Sequence, residues 1–141
     1  MLKELLNETV SVLAFSGVGI VLMVLGFVLV DVITPGNLRK QIWLERNRNA
    51  TVLLASNLLA VGMIVFAAIS ASSDNLVVGI SYSFVYGVIG LIVMGVAFVL
   101  LDLLTPGKLG AILVEENNHP AVWVTAATHI AVALVVMAGL S

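Results

Sequence analysis

Four long apolar stretches constrain what this chain can fold into more than any other feature. They run from about Val10 to Ile33, Ala50 to Ala71, Leu76 to Leu101 and Ala121 to Leu140. No Lys, Arg, Asp or Glu lies between Thr9 and Val30, and none lies in the other three stretches. A hydrocarbon core about 30 Å thick takes roughly 20 helical residues to cross, so each stretch is long enough to span it. Inside lipid a segment must satisfy its own backbone groups, which makes each stretch a helix. Composition agrees: 61% of the 141 residues are hydrophobic and 10% are charged. That is too little charge to clothe a water-exposed surface. The expectation is an all-α membrane protein with four transmembrane helices in a single membrane domain over residues 1–141. The first stretch is too long for a signal peptide, lacks a clear basic leading segment and precedes no small-x-small site, so it is read as structure.

The rest of the composition mainly excludes. There is no cysteine, hence no disulfide framework, thiolate nucleophile or Cys-based metal site. Six basic residues form no extended stripe, so nucleic acid is not an expected partner. The chain has no P-loop, no H-E-x-x-H and no dinucleotide fingerprint in a strand-helix context, and it leaves no separate domain to hold an active site. No catalytic residue, cofactor or metal is expected.

Charge placement gives an orientation. Arg39, Lys40, Arg46 and Arg48 follow the first stretch and Lys108 follows the third, which puts five of the six basic residues on one side of the membrane. By the positive-inside rule that side is cytoplasmic, with both termini and the Ser72-Ser73-Asp74-Asn75 turn outside. Trp43 and Trp123 then sit near the cytoplasmic interface, and Tyr82 and Tyr86 towards the outer end of the third stretch, depths that suit membrane aromatics.

The chain also repeats itself. Residues 15–70 align without a gap on residues 86–141 at an offset of 71. Gly19 pairs with Gly90, Met23 with Met94, and Phe27-Val28-Leu29 with Phe98-Val99-Leu100. The densest match sets Asp31, Thr34, Pro35, Gly36 and Leu38 against Asp102, Thr105, Pro106, Gly107 and Leu109. Glu45, Asn47 and Ala50 pair with Glu116, Asn118 and Ala121. The reading is two tandem helix-loop-helix repeats, 10–71 and 76–141. Each has two spans, so both enter the membrane the same way round and the repeats are parallel, unlike the inverted repeats of many transporters.

The twice-written D-[VL]-[IL]-T-P-G-[NK]-L, each copy followed by E-x-N-x-x-A, resembles the YjfL-like family of small bacterial membrane proteins, also called domain of unknown function 350. The resemblance covers nearly the whole chain. It implies a multi-pass location in the bacterial cell (inner) membrane and the duplicated four-helix fold, and it brings no biochemical activity with it.

In each D-x-x-T-P-G element the proline disfavours helical geometry at the residue before it, so the spans should end near Thr34 and Thr105. Those threonines can cap short following helices that open on Pro35 and Pro106 and lie along the interface. Asp31 and Asp102 are less easily explained. A carboxylate in the last turn of a helix meets the negative end of its dipole, at a cost of roughly 0.3–1 kcal/mol. Capping hydrogen bonds or salt bridges to loop arginines would offset it, and so would a cation or proton site shared between the two copies.

Four further polar positions stand out inside the spans. Asn57 aligns with Thr128, which predicts corresponding places facing the bundle interior. Thr125, Thr128 and His129 share a face of the fourth helix. Interhelical hydrogen bonding is the commoner use of such residues, worth about 0.6–2 kcal/mol per contact, while His129 is the one whose ordinary pKa lies near neutrality. Small residues recur at Gly79, Ser83 and Gly87 and at Ser16, Gly19 and Gly26, faces that suit packing within the bundle or self-association. In the loops, Arg39, Lys40, Glu45, Arg46 and Arg48 make the first basic, and Lys108, Glu115 and Glu116 make the second slightly acidic. These charges can pair with each other, between subunits, with anionic lipid or with another protein. Asn49 is the expected cap of the second helix.

Two functions follow as expectations. The first is a non-enzymatic accessory or scaffold component embedded in the lipid bilayer, forming a homo-oligomer or joining a larger membrane complex. The second is a proton or cation pathway using Asp31, Asp102 and His129. An intramembrane enzyme ranks behind both.

Overall fold

The structure is a computed structural model that describes residues 1–33, 38–72, 74–104 and 120–140. Among these residues five helices follow in order: α1 (Leu2–Ile33), α2 (Leu38–Trp43), α3 (Arg48–Ser70), α4 (Leu76–Leu104) and α5 (Ala121–Leu140). Four of them, α1, α3, α4 and α5, are long and apolar enough to cross a membrane. Among the described residues there are no strands.

Helix α1 is described as far as Ile33 and α4 as far as Leu104, so the helix ends expected near Thr34 and Thr105 fall just beyond the described residues. Thr34 and Pro35, Thr105 and Pro106, Lys108 and Glu116 lie outside the described residues. The short helix expected after the first T-P-G is α2, whose Ile42 packs on the Ala50 and Leu53 cluster. The start of α1 differs from expectation. Helix begins at Leu2 rather than near Val10, because Leu-Lys-Glu-Leu-Leu is a strong helix former. Glu4 sits in its first turn, 3.7 Å from the terminal amine. Thr9 and Ser11 donate their hydroxyls back to Leu5 O and Asn7 O at 2.7 and 2.9 Å, so the polar turns satisfy themselves. With 32 residues α1 is about 48 Å long and outreaches the hydrocarbon.

The cap of α3 is also corrected. Asn47, in extended geometry at φ −72 and ψ 114, accepts from Ala50 N through its side chain at 3.2 Å. Asn49 falls inside the first turn and is fully buried. Arg46, just before the cap, takes the left-handed φ of 52. Lys40 and Glu45 pair at 3.9 Å across the exposed α2–α3 connection.

Side-chain contacts set the bundle as up-down-up-down. Gly26 on α1 lies against Val61 and Gly19 against Val65, so α1 and α3 are antiparallel. Gly87 and Gly90 on α4 lie against Leu22 and Ile64. Gly79, Ser83 and Gly87 are all buried, so the α4 small-residue face is spent on packing within the bundle. On α1, Gly26 is buried in the same way, whereas Ser16 faces outward. Helix α3 touches every other helix, and its widest contact is with α5. The core has two apolar layers. One, nearer the chain termini, gathers Leu22, Val61, Ile64, Leu91 and Met94, and the other, nearer the loops, gathers Ala50, Leu53, Phe98 and Val122.

Candidate functional site

Between the two apolar layers lies a polar one. It forms where α1 comes close to α3 and where α3 meets α5. The first approach depends on Gly26: a Cβ there would stand 2.7 Å from Val61 Cγ2. With no side chain in the way, Asn57 Nδ2 reaches across and donates to Gly26 O at 3.2 Å. Asn57 is fully buried, and among the described residues its Oδ1 accepts no hydrogen bond.

One residue earlier, Ser56 faces α5. Its Oγ is 3.1 Å from His129 Nδ1, and its proton goes to Leu53 O at 2.9 Å. With its only proton committed, Ser56 accepts, so the network assigns the histidine proton to Nδ1 and leaves a lone pair on Nε2. The imidazole is 3% exposed, and its ring centroid lies 5.7 Å from that of Phe98. Thr125, also buried, donates to Ala121 O at 3.2 Å.

The candidate positions from the sequence thus separate. Asn57 and His129 enter the same layer. Thr128 does not: it sits at the bundle edge and donates to Val124 O of its own helix at 2.8 Å. The expected equivalence of Asn57 and Thr128 fails because the second copy has Ala97 where the first has Gly26, and threonine is too short to cross between helices. Asp31 is partly exposed in the last turn of α1. The side chains of Asp102 and Arg39 lie outside the described residues. Among the described residues, His129 contacts Ser56 and Phe98 rather than a carboxylate, and no three His, Asp or Glu side chains gather as a metal site needs. Lys40, Glu45, Arg46 and Arg48 are exposed at the loop end.

Sequence reading missed Ser56. It aligns with Ala127, so the repeat gave it no weight, and serine in a membrane helix commonly bonds its own backbone. It also missed a groove between α3 and α5. Val52, Ala55, Ser56 and Leu59 line one wall and Trp123, Ala126, Ala127 and Ile130 the other. The residues of one wall lie 71 positions from those of the other.

The chain is 38% identical over 140 residues to the UPF0719 transmembrane protein Mb2631 of Mycobacterium bovis (strain ATCC BAA-935 / AF2122/97), covering 99% of this chain and 92% of that one. The UPF0719 transmembrane protein MT2674.1 of Mycobacterium tuberculosis (strain CDC 1551 / Oshkosh) matches with the same identity and coverage. A UPF0719 transmembrane protein of Mycolicibacterium paratuberculosis (strain ATCC BAA-968 / K-10) is 32% identical over 140 residues, 99% of this chain and 93% of its own. No solved structure matches the chain. Residues 4–140 match the family Domain of Unknown Function (DUF350), and with four helices long and apolar enough to cross a membrane in place, the chain belongs to that family of small membrane proteins.

Proposed function

We propose that this membrane protein is non-enzymatic and acts by association, with α1 as the helix it offers to a second copy or to a larger membrane assembly. The observation that carries the reading is a disparity in burial. The bundle covers only 11% of the spanning window of α1, against 50% of that of α3. The outward face of α1 carries Leu13, Ser16, Gly17, Ile20 and Val24. A Cβ at Gly17 would meet nothing within 4 Å, so the glycine leaves a notch on this face. Lipid tails are as apolar as leucine, so helices associate in a bilayer through close backbone approach, and small outward residues permit it.

The packed interior supports the same reading over a proton or cation pathway through Asp31, Asp102 and His129. Such a pathway needs a polar line across the bundle. One to two turns beyond Asn57 and His129, Leu22, Val61 and Ile64 are fully buried and Met94 nearly so. Duplication into two parallel hairpins is supported by groove walls whose residues lie 71 positions apart.

The test is the mass of the tagged protein extracted in mild detergent or native nanodiscs. The expected result is a stoichiometric assembly larger than one chain, which Gly17→Leu reduces to single chains without changing their unfolding temperature. A wild-type monomer, with liposome proton or cation flux that Asp31→Asn together with Asp102→Asn abolishes, would overturn the reading.

A further inference from the structure

Helix α1 outreaches the bundle it belongs to. Leu22 lies against Gly87 of α4 and Gly26 against Leu91, the same offset in both cases, so the two helices run side by side and the first residue of α4, Leu76, is level with Ser11. Helix α3 stops sooner still: Gly19 lies against Val65, and Ser70 is only five residues further on. Residues 2–10 of α1 therefore project about 13 Å past the start of α4. Every one of them is exposed.

These projecting turns have two sides. At helical spacing Lys3, Glu4, Asn7 and Glu8 fall on one, and Leu2, Leu5, Leu6 and Thr9 on the other. The apolar side runs without a break into the outward face of the spanning part. Leu6, Leu13 and Ile20 recur every seven residues, as do Leu2, Thr9 and Ser16, and all six are exposed. That is the a and d pattern of a coiled coil, held for nearly three heptads. Within the spanning part any apolar pattern suits lipid, so the projecting turns decide. There Leu2 is 72% exposed and Leu6 57%, in turns that also carry Lys3, Glu4 and Glu8, and every charge is kept off the seam.

Whatever covers this seam must run beside α1 both within the membrane and beyond it. Among the described residues no other helix of the chain reaches that level. In a second copy α1 does, at the same height and in the same sense, because copies of one chain enter the membrane alike. Seam then meets seam in register across a two-fold axis, while Glu4, Asn7 and Glu8 point away, so like charges are not brought together. The two halves of the seam also suit their surroundings. Leu2 and Leu6 meet where water drives apolar burial, and Ser16, with Gly17 beside it, meets in lipid, where close backbone approach holds helices together.

We propose that α1 pairs with α1 of a second copy as a parallel two-stranded coiled coil whose first two turns stand clear of the bundle, which rests on the reading of α1 as the helix offered for association.

The chain has no cysteine, so single thiols report the pairing of the full chain in native membranes. A disulfide needs Cβ atoms about 4 Å apart. Leu6→Cys and Thr9→Cys should therefore give a cross-linked dimer on mild oxidation, and Glu4→Cys and Asn7→Cys, on the far side, should not. Leu6→Glu sets two carboxylates face to face on the seam. It should reduce the assembly to single chains without changing their unfolding temperature, whereas Leu6→Ile should keep it. Equal cross-linking at all four positions, cross-linking of Leu6→Cys only to a protein of different mass, or an assembly that survives Leu6→Glu overturns the coiled coil. If Gly17→Leu still dissociates that assembly, α1 remains the associating helix and only the pairing is wrong. A wild-type monomer overturns both.

Discussion

His129 Nδ1 and Ser56 Oγ, 3.1 Å apart, form the polar link between α3 and α5, and both side chains are buried. The link is directional, because Ser56 spends its proton on Leu53 O and so can only accept from the imidazole. Either side chain alone would be an expense in an apolar bundle. Together they satisfy each other and hold the helix pair in register.

That reciprocity predicts non-additive substitutions. Ser56→Ala should destabilise the bundle by about 1–2 kcal/mol, since it strands the Nδ1 proton in a dry site. His129→Leu should cost less, because the serine keeps its bond to Leu53. The double variant should be nearly as stable as His129→Leu alone. Reversible unfolding in mixed micelles measures the cycle, and strictly additive effects would show that the two residues are uncoupled.

A second prediction concerns Gly26. A Cβ added there would meet Val61 Cγ2 at 2.7 Å and Leu91 Cδ2 at 3.5 Å, so Gly26→Ala must push α1 away from α3. The expected cost is about 1–3 kcal/mol. It should fall in a Val61→Ala background, where the offending methyl groups are gone. Loss of the Asn57 bond to Gly26 O should accompany the shift, readable as a changed Asn57 side-chain amide signal in an NMR spectrum. Unchanged stability in Gly26→Ala would mean that the close approach is not needed.

The sequence carried the helices further than it carried the site. Uncharged length was enough to place four helices, because it acts through rules local to the chain, while the ends expected at the two T-P-G elements lie outside the described residues. The start of α1 was not legible. Lys3, Glu4 and Glu8 mark the end of the apolar run, but they do not stop a helix whose polar turns face water. The cap was misassigned by two residues, since Asn47 and Asn49 are chemically alike and only backbone geometry tells them apart. Asn57 and His129 stood out as polar residues in apolar runs. Their partners did not, because Gly26 O is a backbone atom and Ser56 is an ordinary residue in a membrane helix. The repeat misled at Thr128, where the surroundings had diverged along with the side chain.

The reassigned cap gives a third prediction. Asn47 Oδ1 accepts from Ala50 N, so Asn47→Ala should lower stability by about 0.5–2 kcal/mol, while Asn47→Asp should be tolerated. Thermal unfolding of the two variants against wild type decides it. Equal loss in both would show that the side chain acts through something other than its oxygen.

Orientation can be tested directly, because the chain has no cysteine and any introduced thiol is the only one. Asp74 is exposed between α3 and α4, and Glu45 is exposed between α2 and α3. These positions lie at opposite ends of the bundle, since α3 runs between them. Lys40, Arg46 and Arg48 belong to the Glu45 end, so the positive-inside rule predicts Glu45 in the cytoplasm. Asp74→Cys should therefore react with a membrane-impermeant maleimide in intact bacterial cells, and Glu45→Cys only after permeabilisation. The reverse pattern would place the basic loop outside.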